Sequence, residues 1–262
     1  MPRQLVIPVA LCFALSFASR AAWAEGGEPS ADEIARRALR TDAWSWEGAR
    51  TRLKMILVEP GGGRKERAME VTARRAGKLL QSLVRFSAPP ELAGTAFLML
   101  EQAGGASEQY VYLSGLKRTR RVVGREREGS FMGSDFSYVD LQPVPVGQSS
   151  NLRLPDEALG KDACYVVEST LLPGSQWPYG KLVSWVRKSD FVALRTRFFD
   201  KAGKAIKTLY VRRVRQMEGK PVAVEARMQS ENGHATELLL ESLERRNDLT
   251  DAMFAPSALE RM

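Results

Sequence analysis

The chain has 262 residues, a formal net charge of +8, one histidine and two cysteines. This length suits one large β domain or two small domains. The low cysteine count excludes a small fold held by several disulfide bonds, and a single histidine excludes a His/Cys metal cluster.

Residues 1–24 have the three parts of a secretory signal peptide. A short basic start at Arg3 precedes an apolar run over 5–17, and Ala22-Trp23-Ala24 forms an A-x-A cleavage site. The apolar run is too short for a typical membrane span, although a short membrane anchor is the alternative. We expect cleavage after Ala24, export to the periplasm and a single mature domain over residues 25–262.

Cleavage would remove Arg3 and Arg20, which lowers the net charge from +8 to +6 (8 − 2). In an exported protein this basic surplus favours anionic head groups or an acidic partner, and we expect no nucleic-acid binding. Cys164 would be the only mature cysteine, a small buried hydrophobic residue in an alternating strand.

A helix is predicted over residues 30–41, where Ser30 can cap the N-terminus with Glu33 three residues later. After it the chain changes to the period-two alternation of strands. The predicted strands are 51–57, 69–74, 78–86, 95–101, 108–113, 117–123, 163–171, 181–188, 191–199, 204–215, 221–230 and 234–244.

These strands predict a mainly β (α+β) fold, with one curved antiparallel sheet of about 11–12 strands that is wetted on one side. Helices over 30–41, near 134–141 and over 251–259 would cover its concave face. The stretch 142–160 shows no clear pattern and is predicted to be a loop. A thinly covered concave sheet leaves an apolar cavity, which usually holds an apolar ligand.

Nine apolar residues are candidates for the wall of that cavity because they alternate along predicted strands. They are Leu53, Met55, Leu57, Met69, Val71, Phe97, Met99, Leu238 and Leu240. Each of the methionines taken alone also fits an ordinary core position.

The segment 130–141, SFMGSDFSYVDL, is called the lid segment here. Its sequence predicts a turn at Gly133 and a short helix capped at Ser134 or Asp135, with Ser137 and Asp140 at capping-box spacing as the second choice. We expect the two aspartates to pair with arginines of the preceding strand. The residues assigned to the lid are Phe131, Met132, Gly133, Ser134, Asp135, Phe136, Tyr138 and Asp140.

Two groups of residues are candidates for docking on a membrane or a partner. Arg118, Arg120 and Arg121 lie in a basic run that would be attracted to an anionic surface, or simply alternate toward water. Trp44 and Trp46 suit an interface, or equally the edge of the core.

The sequence does not favour an enzyme. His234 lies in a predicted hairpin turn, so no His-based catalytic triad has a second member. Asp135 and Asp140 as a hydrolytic carboxylate pair are disfavoured because nothing nearby indicates a polar cleft. We expect no cofactor and no metal.

The order of motifs resembles the LolA-like outer-membrane lipoprotein-sorting family. The matching stretches are 86–98 (FSAPPELAGTAFL), 109–113 (QYVYL), 116–122 (LKRTRRV), the lid segment and 251–254 (DAMF) followed by Leu259.

The resemblance implies a half-open antiparallel barrel with helices in its mouth. It also implies a monomeric carrier for lipid or lipoprotein acyl chains across the periplasm, with an inner-membrane exporter and an outer-membrane acceptor as partners and peripheral membrane contact. The alternative is an envelope module that senses lipidated ligands or assists an RND-type exporter without shuttling cargo.

Overall fold

The computed structural model describes residues 27–41, 48–104, 106–142, 146–175 and 177–260. The predicted signal peptide, Trp44 and Trp46 lie outside this part of the chain. The described residues form one α-helix, 13 strands and several short 3-10 helices.

The helix is α1 (Ala31–Arg40). The strands in chain order are β1 (Ala49–Val58), β2 (Arg64–Ala76), β3 (Leu79–Ala88), β4 (Ala96–Glu101), β5 (Ser107–Leu113), β6 (Arg118–Arg121), β7 (Ser149–Leu159), β8 (Asp162–Leu171), β9 (Tyr179–Arg187), β10 (Ala193–Asp200), β11 (Ala205–Met217), β12 (Lys220–Ser230) and β13 (Ala235–Arg245).

All 13 strands belong to one antiparallel sheet, in the order β6-β5-β4-β3-β2-β1-β13-β12-β11-β10-β9-β8-β7. The sheet is open, with β6 and β7 as its two edges. The predicted fold class, a curved and half-open antiparallel sheet, is confirmed. The connection over residues 122–148 therefore leaves one edge and returns at the other, and the lid segment lies within it.

Each strand alternates between two faces. The face under the lid segment, called the inner face, carries Val84 and Phe97, and the outer face carries Leu83 and Leu98. The C-terminal segment packs on the outer face of β3–β5 through Phe254, as two short 3-10 helices, Asp251–Phe254 and Pro256–Ala258. The expectations that 251–259 covers the concave face and that one side is wetted are wrong for this half of the sheet.

Helix α1 lies on the inner face at the other half of the sheet, where fully buried Ile34 packs against Val167 and Val186. The backbone N–H of Glu33 donates to Ser30 Oγ at 3.2 Å, which confirms the predicted cap. At the C-terminal end, Thr41 Oγ1 donates to the carbonyl of Phe191 at 3.0 Å and attaches the helix to the β9–β10 turn.

The predicted loop over 142–160 is wrong in its second half, which forms the edge strand β7. An edge strand has one neighbour and little need for an alternating apolar face, so its sequence lacks the usual pattern. Leu152 is 59% exposed and Pro155 lies at a register shift between Leu154 and Glu157. The lid segment holds two 3-10 helices, Phe131–Gly133 and Tyr138–Leu141, instead of one helix near 134–141.

Among the described residues, no helix is both long and apolar enough to cross a membrane.

Gly180 marks a close backbone approach in β9. It lies opposite a register shift between Phe199 and Asp200, and a Cβ at this position would lie 2.6 Å from the carbonyl oxygen of Asp200. We expect Gly180→Ala to destabilise the fold by about 1–3 kcal/mol, because the backbone must move to relieve the clash. Urea unfolding measures the change.

Gly115→Ala is the matched control, since a Cβ there meets nothing within 4 Å. Equal stability of the two variants would contradict the prediction.

Candidate functional site

An aromatic layer from the lid segment fills the inner face over β3 and β4. The ring of Phe131 lies 5.9 Å from Phe86, 5.3 Å from Phe97 and 5.5 Å from Tyr138, measured between centroids. Phe131 and Phe97 are buried almost completely. This half of the inner face is therefore a packed core.

Eight of the nine predicted cavity residues lie in or beside this core. Met55, Met69, Val71, Phe97 and Met99 belong to the buried cluster under the lid segment, and Leu53, Leu57 and Leu238 pack against it. Leu240 belongs to a separate cluster with Ala49 and Val222. None of the nine lines the cavity described below, and ligand binding at these positions stays a prediction.

A buried ion pair attaches the lid segment to the middle of the sheet. Lys207 Nζ of β11 lies 2.5 Å from Asp140 Oδ2, and the two side chains are 9% and 4% exposed. Tyr179 of β9 donates its hydroxyl to Asp140 Oδ1 at 2.5 Å, and the backbone N–H of Ser137 donates to Oδ2 at 2.7 Å. The predicted capping pair of Ser137 and Asp140 is thus confirmed, and one carboxylate binds three partners.

Burial raises the pKa of the Tyr179 phenol well above its usual value, and the neighbouring negative charge of Asp140 raises it further. Tyr179 therefore stays neutral and remains a hydrogen-bond donor to the carboxylate.

Asp135 makes a second polar attachment, to the β12–β13 hairpin. Ser230 Oγ donates to Asp135 Oδ1 at 2.6 Å and Thr236 Oγ1 donates to Oδ2 at 2.7 Å, while the N–H of Asp135 donates to Thr236 Oγ1. The lid segment is therefore bonded to β9, β11, β12 and β13.

The expected pairing of Asp135 and Asp140 with Arg118, Arg120 or Arg121 is wrong. Those arginines lie on the edge strand β6, whereas the lid segment has already crossed to the middle of the sheet. Arg120 pairs instead with Glu126, Arg121 pairs with Glu108 at 2.9 Å, and Arg118 is exposed. Docking of a membrane or partner at this strand stays a prediction.

A cavity of ≈280 Å³ lies between α1 and the second half of the inner face. Its wall is mostly apolar and comes from α1, from β7–β12 and from the lid segment. Trp177 is 2% exposed and belongs to this wall. The apolar lining residues are Ala35, Ala38, Leu39, Phe136, Val167, Trp177, Leu182, Val186, Val192, Ala193, Phe198, Leu209, Val211, Ala223 and Met228.

The helix side of the cavity carries small side chains, which leave space between α1 and the sheet. Ala35 and Ala38 of α1 face the sheet, and Ile34 is the one buried residue of the helix. The sequence predicted these strands, but their lining residues were not selected. One sequence signal could have indicated the cavity: α1 carries alanines on the face that packs against strands with alternating apolar residues.

The two residues that bear on catalysis lie apart from the cavity. His234 is exposed in the β12–β13 turn, and Cys164 is fully buried in an outer-face cluster with Trp185. Burial raises the pKa of the Cys164 thiol. Within the described ranges no group of three or more His, Cys, Asp or Glu side chains is placed to hold a metal ion.

Replacing Lys207 with Met should destabilise the protein by about 3–5 kcal/mol, because the Asp140 carboxylate stays buried without its cation. The double variant Lys207→Met/Asp140→Asn removes both charges and should recover most of the loss. Urea unfolding of both variants gives the comparison.

The pair of Lys181 and Glu168, 2.7 Å apart and more accessible than the pair of Lys207 and Asp140, supplies the control. Lys181→Met should cost about 1 kcal/mol or less. If the Lys207 variant is no less stable than this control, or if the double variant recovers nothing, the ion pair does not fix the lid segment.

Known proteins resemble this chain in sequence and in fold. A family model described as "Uncharacterized protein" matches residues 79–261, well over half of the chain. The comparison with curated proteins gave no match.

A solved structure described as an outer membrane lipoprotein-sorting protein domain from Vibrio parahaemolyticus is 29% identical, with a TM-score of 0.81, and the match covers 88% of this chain and 98% of that one. A DUF1329 family protein from Desulfovibrio piger is 27% identical, with a TM-score of 0.82, over 87% and 97% of the two chains.

A LolA superfamily protein from Nitrosomonas europaea shares the fold, with 18% identity and a TM-score of 0.70 over 87% of this chain and 98% of that one. The motif resemblance agrees with the solved structures at 29% and 27% identity, and the family model extends over the same part of the chain. The chain belongs to the LolA-like outer-membrane lipoprotein-sorting family.

Proposed function

We propose that the protein is a periplasmic carrier that holds an acyl chain of a lipid or lipoprotein in the cavity under α1 and delivers it toward the outer membrane. The observation that supports this proposal is the apolar cavity of ≈280 Å³ in a sheet whose other half is filled. Sites for small ligands usually have volumes of about 300–1,000 Å³, so this cavity suits one short chain rather than a whole lipid.

The energetics of the wall suit reversible transfer. Each buried methylene gains about 0.8 kcal/mol on leaving water, and a bilayer offers nearly the same gain. The free energy that a carrier gains by burying the chain must therefore be close to the gain in the membrane and not much larger, so that the chain can be released. Side chains such as Ala35, Val186 and Leu209 provide an apolar surface, while Thr41 and Ser169 interrupt it.

The N-terminal sequence supports the proposed location. Export by the signal peptide over 1–24 would release the domain over 25–262 into the periplasm, between the two membranes that a lipoprotein carrier must connect.

The alternative function is an envelope module that senses lipidated ligands or assists an RND-type exporter without shuttling cargo. The observation that favours it is the basic surface around β6, where Lys117, Arg118 and Arg125 are exposed.

The carrier proposal is tested on the mature protein purified without detergent. We expect native mass spectrometry to show a bound lipid, and we expect that lipid to exchange with vesicles of bacterial phospholipid. Protein that stays empty in the presence of vesicles but binds a membrane partner would favour the module instead.

A large side chain placed in the cavity from the helix side should weaken lipid binding. Ala35 lies on the cavity side of α1 and Arg36 is exposed on the same helix. We expect Ala35→Trp to weaken binding of a lipid with a short acyl chain at least tenfold, because the indole occupies the space of that chain. Fluorescence titration measures the affinity.

Arg36→Trp is the matched control and should bind as the wild type does. Unchanged binding by a folded Ala35→Trp variant would show that the ligand lies elsewhere, for instance under the lid segment at the nine predicted residues.

A further inference from the structure

Two hydroxyl groups interrupt the apolar wall in the middle of the cavity. Ser184 of β9 and Thr196 of β10 are cross-strand partners, their side-chain oxygens lie 3.2 Å apart, and both line the cavity. Their neighbours in the same cross-strand row are Val167 and Leu209. A cavity for hydrocarbon alone would gain more from apolar side chains at these two positions.

The hydroxyl pair keeps unused hydrogen-bonding capacity. A hydroxyl has one proton and two lone pairs, so a bond between two hydroxyls uses only one of the two protons. Within the described part of the chain, each side-chain oxygen has the other as its hydrogen-bond partner. One O–H group is therefore free to donate to an oxygen atom of a ligand.

Two other polar side chains of the wall, Ser169 and Asn151, hold α1 in place. Ser169 Oγ donates to Asn151 Oδ1 at 2.6 Å, and Asn151 Nδ2 donates to Asp32 of α1 at 2.8 Å. These bonds attach the helix to β7 and β8. The pair of Ser184 and Thr196 lies apart from this network and keeps a free donor.

The wall carries no side chain suited to a charged ligand. Among the described lining residues there is no lysine, arginine or histidine, and Asp140 is the one ionisable group. Its carboxylate is already paired with Lys207. An anionic group drawn into this cavity would lose its hydration without gaining a cation.

We propose that the cavity selects a neutral amphiphile whose ester carbonyl or hydroxyl group lies against Ser184 and Thr196. An anionic head group would stay outside. This inference rests on the proposed carrier function and specifies the chemistry of the chain that enters.

The test compares Ser184→Ala/Thr196→Val with the wild type, using three probes of equal chain length: an alkane, its methyl ester and its carboxylate. Competition against a neutral fluorophore bound to the mature protein gives the affinities. We expect the double variant to bind the methyl ester about three- to tenfold more weakly, as the loss of one hydrogen bond implies. Alkane binding should be unchanged or tighter, and the wild type should bind the carboxylate more weakly than the ester.

The matched control is Ser150→Ala/Thr170→Val, a cross-strand pair on the outer face of the same sheet. Its residues alternate with Ser149, Asn151 and Ser169, which line the cavity. This variant should bind all three probes as the wild type does, and thermal unfolding verifies that both variants fold.

Ester binding that is equal in the wild type and the Ser184/Thr196 variant, or carboxylate binding tighter than ester binding, would overturn this inference and leave the carrier proposal intact. Failure of the wild type to bind any probe, the alkane included, would overturn both.

Discussion

The route of one connection governs the architecture. The chain leaves the sheet at β6 and re-enters it at β7, at opposite edges of 13 strands. In a flat sheet those edges would lie about 58 Å apart, given a strand spacing of about 4.8 Å. Much of residues 122–148 is folded into 3-10 turns, which advance only about 2 Å per residue. Because the connection spends these residues in turns and also packs on the inner face, a curled sheet brings both edges within its reach.

This crossing divides the inner face into two unequal parts. Where the lid segment lies over β3 and β4, the rings of Phe131 and Tyr138 pack against Phe97 and fill the space that a ligand would need. Where α1 lies over β8–β10, alanines face the sheet and space remains. The buried pair of Asp140 and Lys207 stands at the boundary, since Asp140 borders the cavity while its own segment fills the other half. The filled part gives the sheet a core, and the open part is free to hold a ligand.

Local patterns in the sequence were sufficient for α1 and for most strands, but not for the contacts between distant elements. The Ser30 cap and the period-two strands follow from residues close in the chain, and both were predictable. The ring packing of the lid segment was also foreseeable, because Phe131, Phe136 and Tyr138 lie close together on either side of Gly133. The partners of Asp135 and Asp140 could not be predicted. Ser230, Thr236, Tyr179 and Lys207 come from strands that lie beneath the lid segment only because the connection crosses the sheet.

The edge strand β7 was missed because an edge needs no alternating apolar face. The cavity under α1 is lined by residues other than the nine selected from the sequence, since its position depends on which face-filling residues are large, and ligand binding at those nine stays a prediction.

An open sheet has two unpaired edges, and each could accept a strand from another chain. At β6 the exposed edge is only four residues long and carries Arg118, Arg120 and Arg121. At β7 the backbone is interrupted by Pro155 within a bulge. Charge at one border and a missing N–H at the other oppose the strand addition that leads to fibres and aggregates. The sheet can therefore stay open without its two edge strands becoming sites of polymerisation.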